Sequence, residues 1–202
     1  MKNLLLATYI LLMSFTIANA QHWILVKNKN NIKVFLPQKN NSHWQTFKVI
    51  AHINASPEQI TNFLANTKLY PQWIDKVTQA KTVSSGKNQF VVWYRISMPF
   101  GFNDMDIVLL NKIIRQNNKI IIHLKAVPNL WPKQKNLYRI THAYGYWDIE
   151  KSGNGSKIIY VFSLIPEINL PTWLIGSLIA QSPYNTVLNL KHFLENKNHG
   201  QN

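Results

Sequence analysis

The sequence predicts an α+β fold, with a curved antiparallel β-sheet of about eight strands and one long C-terminal helix. Strand-like segments separated by short polar turns follow one another between residues 32 and 165, with one short helical segment among them. The stretch Leu170–Leu194 then has helical character and contains no charged residue before Lys191. Because the helices are segregated from consecutive strands, we expect them to pack on one face of the sheet.

The first 20 residues have the three parts of a secretory signal peptide. Lys2 gives a charged start, Leu4–Ile17 is an apolar core, and Ala18-Asn19-Ala20 has the small-x-small pattern of a cleavage site. We therefore expect an exported protein, periplasmic or secreted, with residues 21–202 as a single domain. A retained membrane anchor is the alternative for this segment. The chain has no cysteine, so no disulfide can stabilise it.

The chain carries a formal net charge of +14 at pH 7, and its basic residues are spread along the sequence. Such a surface attracts polyanions. For an exported protein the nearest polyanion is a lipid surface, so we expect transient contact with an anionic membrane. We expect no nucleic-acid partner, because no DNA- or RNA-binding motif is present. Alternatively, the charge serves solubility alone.

Alternation and turn signals assign the elements in order. Residues 32–36 form a short strand closed by Pro37, and Thr46–Ile53 alternates as a strand with one buried face does. The capping box Ser56-Pro57-Glu58-Gln59 predicts a short helix that ends near Asn66. Further strands, typical of antiparallel hairpins, are assigned to residues 77–83, 90–98, 106–115, 120–127, 137–150 and 157–165.

The last helix is predicted to begin at Pro171, a favoured first-turn residue, and to end near Leu194. Its first half is apolar on nearly every side, so it needs sheet on one side and an apolar ligand or a membrane on the other. A transmembrane span is the alternative, but polar residues within the run oppose it. Because Pro183 removes a backbone donor, we expect a bend or a division into a lid-like first half and a docked second half.

Several segments resemble the START (steroidogenic acute regulatory protein-related lipid-transfer) domains, within the START-like or Bet v 1-like helix-grip superfamily. The resemblance covers residues 23–194 and is clearest at Tyr94–Leu109. In that segment Pro99, Phe100 and Asp106 match the family pattern, whereas Gly101 and Met105 depart from it. Further similar segments are Tyr138-Arg139-Ile140, Gly145-Tyr146-Trp147 and Pro171-Thr172-Trp173. Because Met105 stands where the family tends to have arginine, the salt bridge of that arginine cannot be carried over to this chain.

The resemblance implies a helix-grip fold, in which the sheet wraps around the C-terminal helix and that helix closes a hydrophobic tunnel. It implies binding, by sequestration or transfer, of one lipid, sterol-like or other apolar molecule, with no cofactor, no metal and no covalent chemistry. We expect a monomer. The candidate lipid-binding residues are Trp73, Trp93, Arg95, Asp106, Trp131, Trp147, Trp173, Leu174, Leu178 and Tyr184. Tryptophans offer large rigid apolar surfaces with one donor each, although any of them could instead be core.

The charges on the strands leave alternatives open. Arg95 shares a strand face with Trp93. If that face lines the tunnel, Arg95 needs a partner such as Asp106 or a polar group of the ligand; on the outer face it is solvated. Asp104 and Asp106 share a face and could do acid–base chemistry, although such pairs more often cap a turn.

The sequence offers little for catalysis. The seven histidines show no metal-binding spacing, and no nucleophile elbow, phosphate loop or dinucleotide fingerprint occurs. Two alternatives to a lipid-binding module remain. One is an enzyme resembling the polyketide cyclases and aromatases of the same superfamily, and the other is an interaction protein whose cavity is filled by its own side chains.

Overall fold

The structure is a computed structural model that describes residues 22–38, 44–166 and 171–199. The predicted signal peptide lies outside the described residues. The strands are β1 (Trp23–Lys29), β2 (Ile32–Pro37), β3 (Gln45–Ile53), β4 (Val77–Gly86), β5 (Gln89–Ile96), β6 (Met105–Gln116), β7 (Lys119–Ala126), β8 (Tyr138–Ile140), β9 (Ala143–Ser152) and β10 (Gly155–Leu164). The helices are α1 (Pro57–Ala65), α2 (Tyr70–Trp73), α3 (Thr172–Gly176) and α4 (Ser182–His199), with a π-helical turn at Ser177–Gln181 and 3-10 turns at Thr67–Leu69 and Pro128–Leu130.

All ten strands belong to one sheet, in the order β1-β2-β3-β10-β9-β7-β6-β5-β4. Neighbours in this order are antiparallel, and the short β8 pairs in parallel with β6. The predicted antiparallel sheet is confirmed, with two strands more than the sequence indicated. The sequence missed β1 because its apolar residues Ile24, Leu25 and Val26 are consecutive and exposed at the sheet edge, so they do not alternate. The predicted strand at 137–150 is divided between β8 and β9.

The sheet curves around one main core and leaves a smaller apolar cluster on its outer face. In β5, Val92 and Tyr94 face the main core, whereas Val91 and Trp93 belong with Val108 of β6 to the outer cluster. Strands β9 and β10 approach each other closely at one point. A Cβ at Gly145 of β9 would overlap the carbonyl oxygen of Val161 in β10, so only glycine fits there.

Helix α1 begins at the predicted capping box. The Ser56 hydroxyl accepts a hydrogen bond from the Gln59 backbone N–H at 3.2 Å, and the Gln59 side-chain oxygen accepts one from the Ser56 N–H at 2.8 Å. These bonds satisfy two backbone donors at the helix start. The helix buries Ile60, Phe63 and Leu64 in the core and has its C-cap at Asn66, as the sequence indicated.

The C-terminal helix lies against the inner side of the sheet and is irregular just before Pro183. The Ser182 N–H bonds to the Ser177 carbonyl, five residues earlier, which makes a π turn. Pro183 has no N–H to continue a regular helix there, and the π turn ends two residues before it. Beyond it, α4 buries Val187 and Leu190. Among the described residues, no helix is long and apolar enough to cross a membrane.

Candidate functional site

The inner face of the sheet and the C-terminal helix line a partly open apolar cavity of about 150 Å³. Its wall consists of inward-facing side chains from β3 to β10, closed by α2, α3, the π turn and the first residues of α4. Representative strand residues in this wall are Val92, Tyr94, Ile122, Trp147, Tyr160 and Phe162. The helical side contributes Trp73, Ile175, Leu178, Ile179 and Pro183. The cavity thus lies where the sequence placed a gap between sheet and helix.

Aromatic rings make much of the cavity wall rigid. The rings of Trp147 in β9 and Tyr160 in β10 are stacked, with centroids 3.8 Å apart and planes 4° apart. The two residues face each other in the strand register. On the opposite side of the wall, the Tyr70 ring meets Trp73 edge-on at 5.6 Å and Tyr94 at 5.9 Å. Such contacts hold the rings in fixed positions around the space.

The polar groups of the cavity wall are largely uncharged. The Tyr70 hydroxyl donates to the Leu64 carbonyl at 2.9 Å. Burial raises the pKa of the Tyr70, Tyr94 and Tyr160 phenols well above the usual range, so all three stay protonated at neutral pH. The proximity of these phenols to one another raises the pKa of Tyr70 and Tyr160 further. The carboxylate of Asp75 accepts a bond from Asn185 at 3.1 Å.

One buried donor in the wall has no partner. The indole Nε1 of Trp73 is buried and makes no hydrogen bond. Among the described residues, Trp131 has the only other buried side-chain nitrogen or oxygen in this condition, and Trp131 does not line the cavity. An unpartnered buried donor lowers stability by about 1–3 kcal/mol.

Three of the ten candidate residues, Trp73, Trp147 and Leu178, line the cavity. Leu174 is buried in the main core beside it. Tyr184 faces the β1–β2 hairpin instead, where its hydroxyl accepts a bond from the Asn30 amide at 3.0 Å and the Lys27 ammonium lies 4.3 Å from the ring centroid.

Trp173 points away from the cavity and is exposed. Its side chain is 58% accessible and meets the 79% accessible Phe100 edge-on, with ring centroids 5.2 Å apart. Both aromatic residues lie beside the helical side of the cavity wall, because the next residues of α3 include Ile175 of that wall. Trp173 therefore belongs to an exposed aromatic pair rather than to the wall.

Trp93, Asp106 and Trp131 also lie outside the cavity, in a network on the outer face. Asp106 is fully buried and forms a two-bond ion pair with Arg139, at 2.8 Å and 2.7 Å. The Trp93 indole donates to the same carboxylate at 2.7 Å and its ring stacks on that of Trp131 at 5.8 Å. Arg139 also donates to the Trp131 carbonyl at 3.0 Å and to two further carbonyls, those of residues 128 and 132. These hydrogen bonds tie the loop at residues 128–132 to the sheet.

Arg95 does not face the cavity either. Its Nε donates to Asp104 at 2.7 Å, with 39% of the arginine side chain exposed. Asp104 also accepts a bond from the Met98 N–H at 2.9 Å, so it holds the corner between β5 and β6. The open question about Arg95 is thereby answered in favour of the outer face, and its partner is Asp104 rather than Asp106.

Sequence reasoning missed two groups of residues. Tyr70, Tyr94 and Tyr160 form the phenol cluster of the cavity, and for Tyr94 a signal was present because it alternates with Trp93 along β5. Arg139 was noted only as part of a similar segment, and its partner Asp106 is distant in sequence. Among the described residues, no three His, Asp or Glu side chains cluster as a metal site requires.

Comparisons with known proteins support this architecture. No protein-family model matches the chain. The STAR-related lipid transfer protein of Xanthomonas axonopodis superposes with a TM-score of 0.79 at 22% identity, over 86% of this chain and 98% of that one. Human StAR-related lipid transfer protein 5 gives 0.73 at 13% identity, over 97% and 95% of the two chains. The fold is therefore that of the START-like domains, and the predicted helix-grip arrangement is confirmed.

Two further relatives extend the comparison. The uncharacterized protein PA1579 of Pseudomonas aeruginosa is 24% identical over 202 residues, covering 98% of this chain and all of that protein. The Zhui aromatase/cyclase of Streptomyces sp. R1128 superposes with a TM-score of 0.56 at 9% identity, over 76% of this chain and 94% of that one. The same fold is thus present in a protein named for lipid transfer and in one named as an enzyme.

Proposed function

We propose that the protein binds one lipid, sterol-like or other apolar molecule in the cavity and sequesters or transfers it. The observation that carries this proposal is a space of about 150 Å³ that aromatic and aliphatic side chains surround but do not fill. Protein interiors are normally close-packed. An apolar space of this size is costly when empty, at about 24 cal/mol per Å³, and an apolar guest removes that cost. The fold shared with proteins named for lipid transfer supports the same function.

The volume indicates that the lid must move when a lipid enters. A cavity of about 150 Å³ holds a molecule the size of benzene, whereas pockets for larger ligands measure about 300–1,000 Å³. Leu178 and Ile179 of the π turn line the cavity, and the lid is fastened at its end by a bond of 2.6 Å from the Lys27 ammonium to the Gln181 amide oxygen. We propose that residues 172–181 swing outward as the lid.

Helix α4 is the fixed part of this arrangement. The Asn189 amide donates to the Trp73 carbonyl at 3.1 Å, and the Thr186 hydroxyl accepts a bond from the Asp75 N–H at 3.1 Å. With Leu190 fully buried below them, these bonds tie α4 to the segment after α2. The π turn lies at the junction of the two parts, and such turns are frequent at functional sites.

We propose binding without turnover. General acid–base catalysis needs a group that gains and loses a proton near the working pH. The cavity phenols are held protonated by burial, and the Asp75 carboxylate of the wall is held by a hydrogen bond from Asn185. The carboxylates of Asp104 and Asp106 are engaged by arginines outside the cavity. The alternative is a START-like enzyme of the polyketide cyclase or aromatase type, because the Zhui aromatase/cyclase has the same fold.

We further propose that the protein acts as a monomer after export and collects or delivers its ligand at an anionic membrane. The signal-like residues 1–20 and the net charge of +14 support this placement. The exposed pair of Phe100 and Trp173 lies beside the lid, where aromatic rings can enter the interfacial region of a bilayer.

Native mass spectrometry of the protein purified without detergent tests the proposal. We expect a 1:1 adduct whose mass matches an extractable lipid, or such an adduct after incubation with a lipid extract. A protein that stays unliganded under both conditions would contradict lipid binding. Turnover of an added aromatic polyketone would favour the enzymatic alternative.

A further inference from the structure

The outer face of the sheet carries an open groove, on the side away from the cavity. His123 of β7 and Tyr146 of β9 are paired in the strand register, and their chain neighbours Leu124 and Trp147 line the cavity. Successive side chains of a strand point to opposite faces, so His123 and Tyr146 lie on the outer face. The groove that they line has a volume of about 540 Å³. Pockets for small organic molecules measure about 300–1,000 Å³.

Aromatic rings form one part of this outer groove. The Tyr144 side chain is 53% accessible, and its ring meets that of Trp44 edge-on, with centroids 4.9 Å apart. The half-buried Tyr146 and Val161 are paired across β9 and β10 and line the same groove. Exposed apolar surface that is rimmed by polar residues marks an interaction site. Because aromatic rings pack best against other flat rings, this part of the groove fits a flat apolar group.

The groove also has basic side chains. Lys125, His123 and His142 line it, and no aspartate or glutamate does so among the described residues. Lys125 is exposed and forms no ion pair within the described part of the chain. The next acidic residue along β9, Asp148, is already paired with Lys119 at 2.7 Å. An anionic group in the groove would therefore meet cations and no competing carboxylate.

Neighbouring strands extend this basic character on both sides. Lys112 of β6 is the cross-strand neighbour of His123, and Lys48 of β3 is the cross-strand neighbour of Val161. Adjacent strands lie about 4.8 Å apart, so both lysines flank the groove on the outer face. The aromatic part thus lies between two further cations.

The ring and the cation that matter most are adjacent. Lys125 and Tyr144 face each other in the register of β7 and β9, so their Cβ atoms lie about 5 Å apart. Both side chains are exposed. One small molecule can therefore contact both at once.

We infer that the outer groove binds a small organic anion that carries an aromatic ring, such as an aromatic carboxylate or sulfonate. The ring packs on Tyr144 beside Trp44, and the anionic group pairs with the Lys125 ammonium. Because the sheet separates the groove from the cavity, this second site is independent of the proposed lipid binding. Both sites can be occupied at the same time.

Two fluorescent probes test the inference: anilinonaphthalene sulfonate, an aromatic anion, and prodan, a neutral aromatic ketone that serves as the probe of the cavity. In Lys125→Gln the Kd for the sulfonate should rise about two- to fivefold, because an exposed charge pair is lost. In Tyr144→Ala it should rise about two- to tenfold, because a ring contact is lost. The Kd for prodan should stay unchanged in both variants.

Lys87→Gln and Tyr138→Ala are the matched controls, because both residues are exposed and neither lines the groove. They should leave the affinity for the sulfonate unchanged. An equal loss in Lys87→Gln would show a response to net charge alone and would overturn the inference. Unchanged sulfonate affinity in Lys125→Gln and Tyr144→Ala would overturn it as well.

The two probes also separate this inference from the proposed function. If the sulfonate binds through Lys125 and Tyr144 while prodan does not bind, the lipid-binding proposal fails and the outer site stands. If prodan binds and the sulfonate does not, only the outer site fails. Circular dichroism verifies that each variant is folded.

Discussion

The substitution Val92→Phe should stabilise the protein by filling the cavity that we propose as the ligand site. Val92 is fully buried in β5 and lines the cavity. At about 24 cal/mol per Å³, a sealed empty space of about 150 Å³ would cost about 3.6 kcal/mol, which is the upper bound for this partly open cavity. A phenylalanine would fill roughly a third of it, so the free energy of unfolding should rise by about 1 kcal/mol.

The matched control is Val108→Phe, the same change at an equally buried valine of the outer cluster. Val108 does not line the cavity, and overpacking there should lower the free energy of unfolding by about 1–3 kcal/mol. Urea denaturation followed by circular dichroism measures both changes. Prodan titration should show weakened binding for Val92→Phe only. If both variants are destabilised alike, or if Val92→Phe binds prodan as the wild type does, the space is not an open ligand site.

Three further predictions concern the network, the phenols and the exposed aromatic pair. Arg139→Met should lower the free energy of unfolding in urea by about 3–5 kcal/mol, because it leaves the buried Asp106 carboxylate without its ion-pair partner. Arg95→Met, at the half-exposed pair with Asp104, should lower it by about 1 kcal/mol or less. Similar losses in the two variants would contradict the buried position of one pair and the exposed position of the other. Because burial raises the pKa of Tyr94 in the folded state, the stability that the protonated phenol contributes is present at neutral pH and is lost as the pH rises above about 10. The loss of unfolding free energy at alkaline pH should therefore be smaller in Tyr94→Phe than in the wild type, and identical profiles of stability against pH would refute this role of Tyr94. Phe100→Ser combined with Trp173→Ser should reduce binding to phosphatidylglycerol vesicles without changing prodan affinity; unchanged vesicle binding would remove the pair from the docking surface.

Much of the fold was predictable because it depends on local patterns. Period-two alternation located most strands, and the capping box located the start of α1. The proline at position 183 marked where the π turn passes into α4. These features involve residues a few positions apart, so one sequence contains the whole signal.

The candidate site was less predictable, because alternation shows which residues share a face but not which face lines the cavity. Trp93 and Tyr94 are adjacent in the sequence, yet Trp93 lies outside and Tyr94 inside. The ion pair of Asp106 with Arg139 depends on the parallel pairing of β6 with β8, which no local pattern shows. Treating tryptophans as one class therefore combined cavity residues with residues of the outer network.

Isotope-filtered nuclear Overhauser measurements on the protein with its extracted or added apolar ligand test the central proposal most directly. Contacts should run from the ligand to the ring of Trp147 and the methyl groups of Leu178, on opposite sides of the cavity. Ligand contacts confined to Trp93 and Trp131 on the outer face, or none at all, would contradict the proposal.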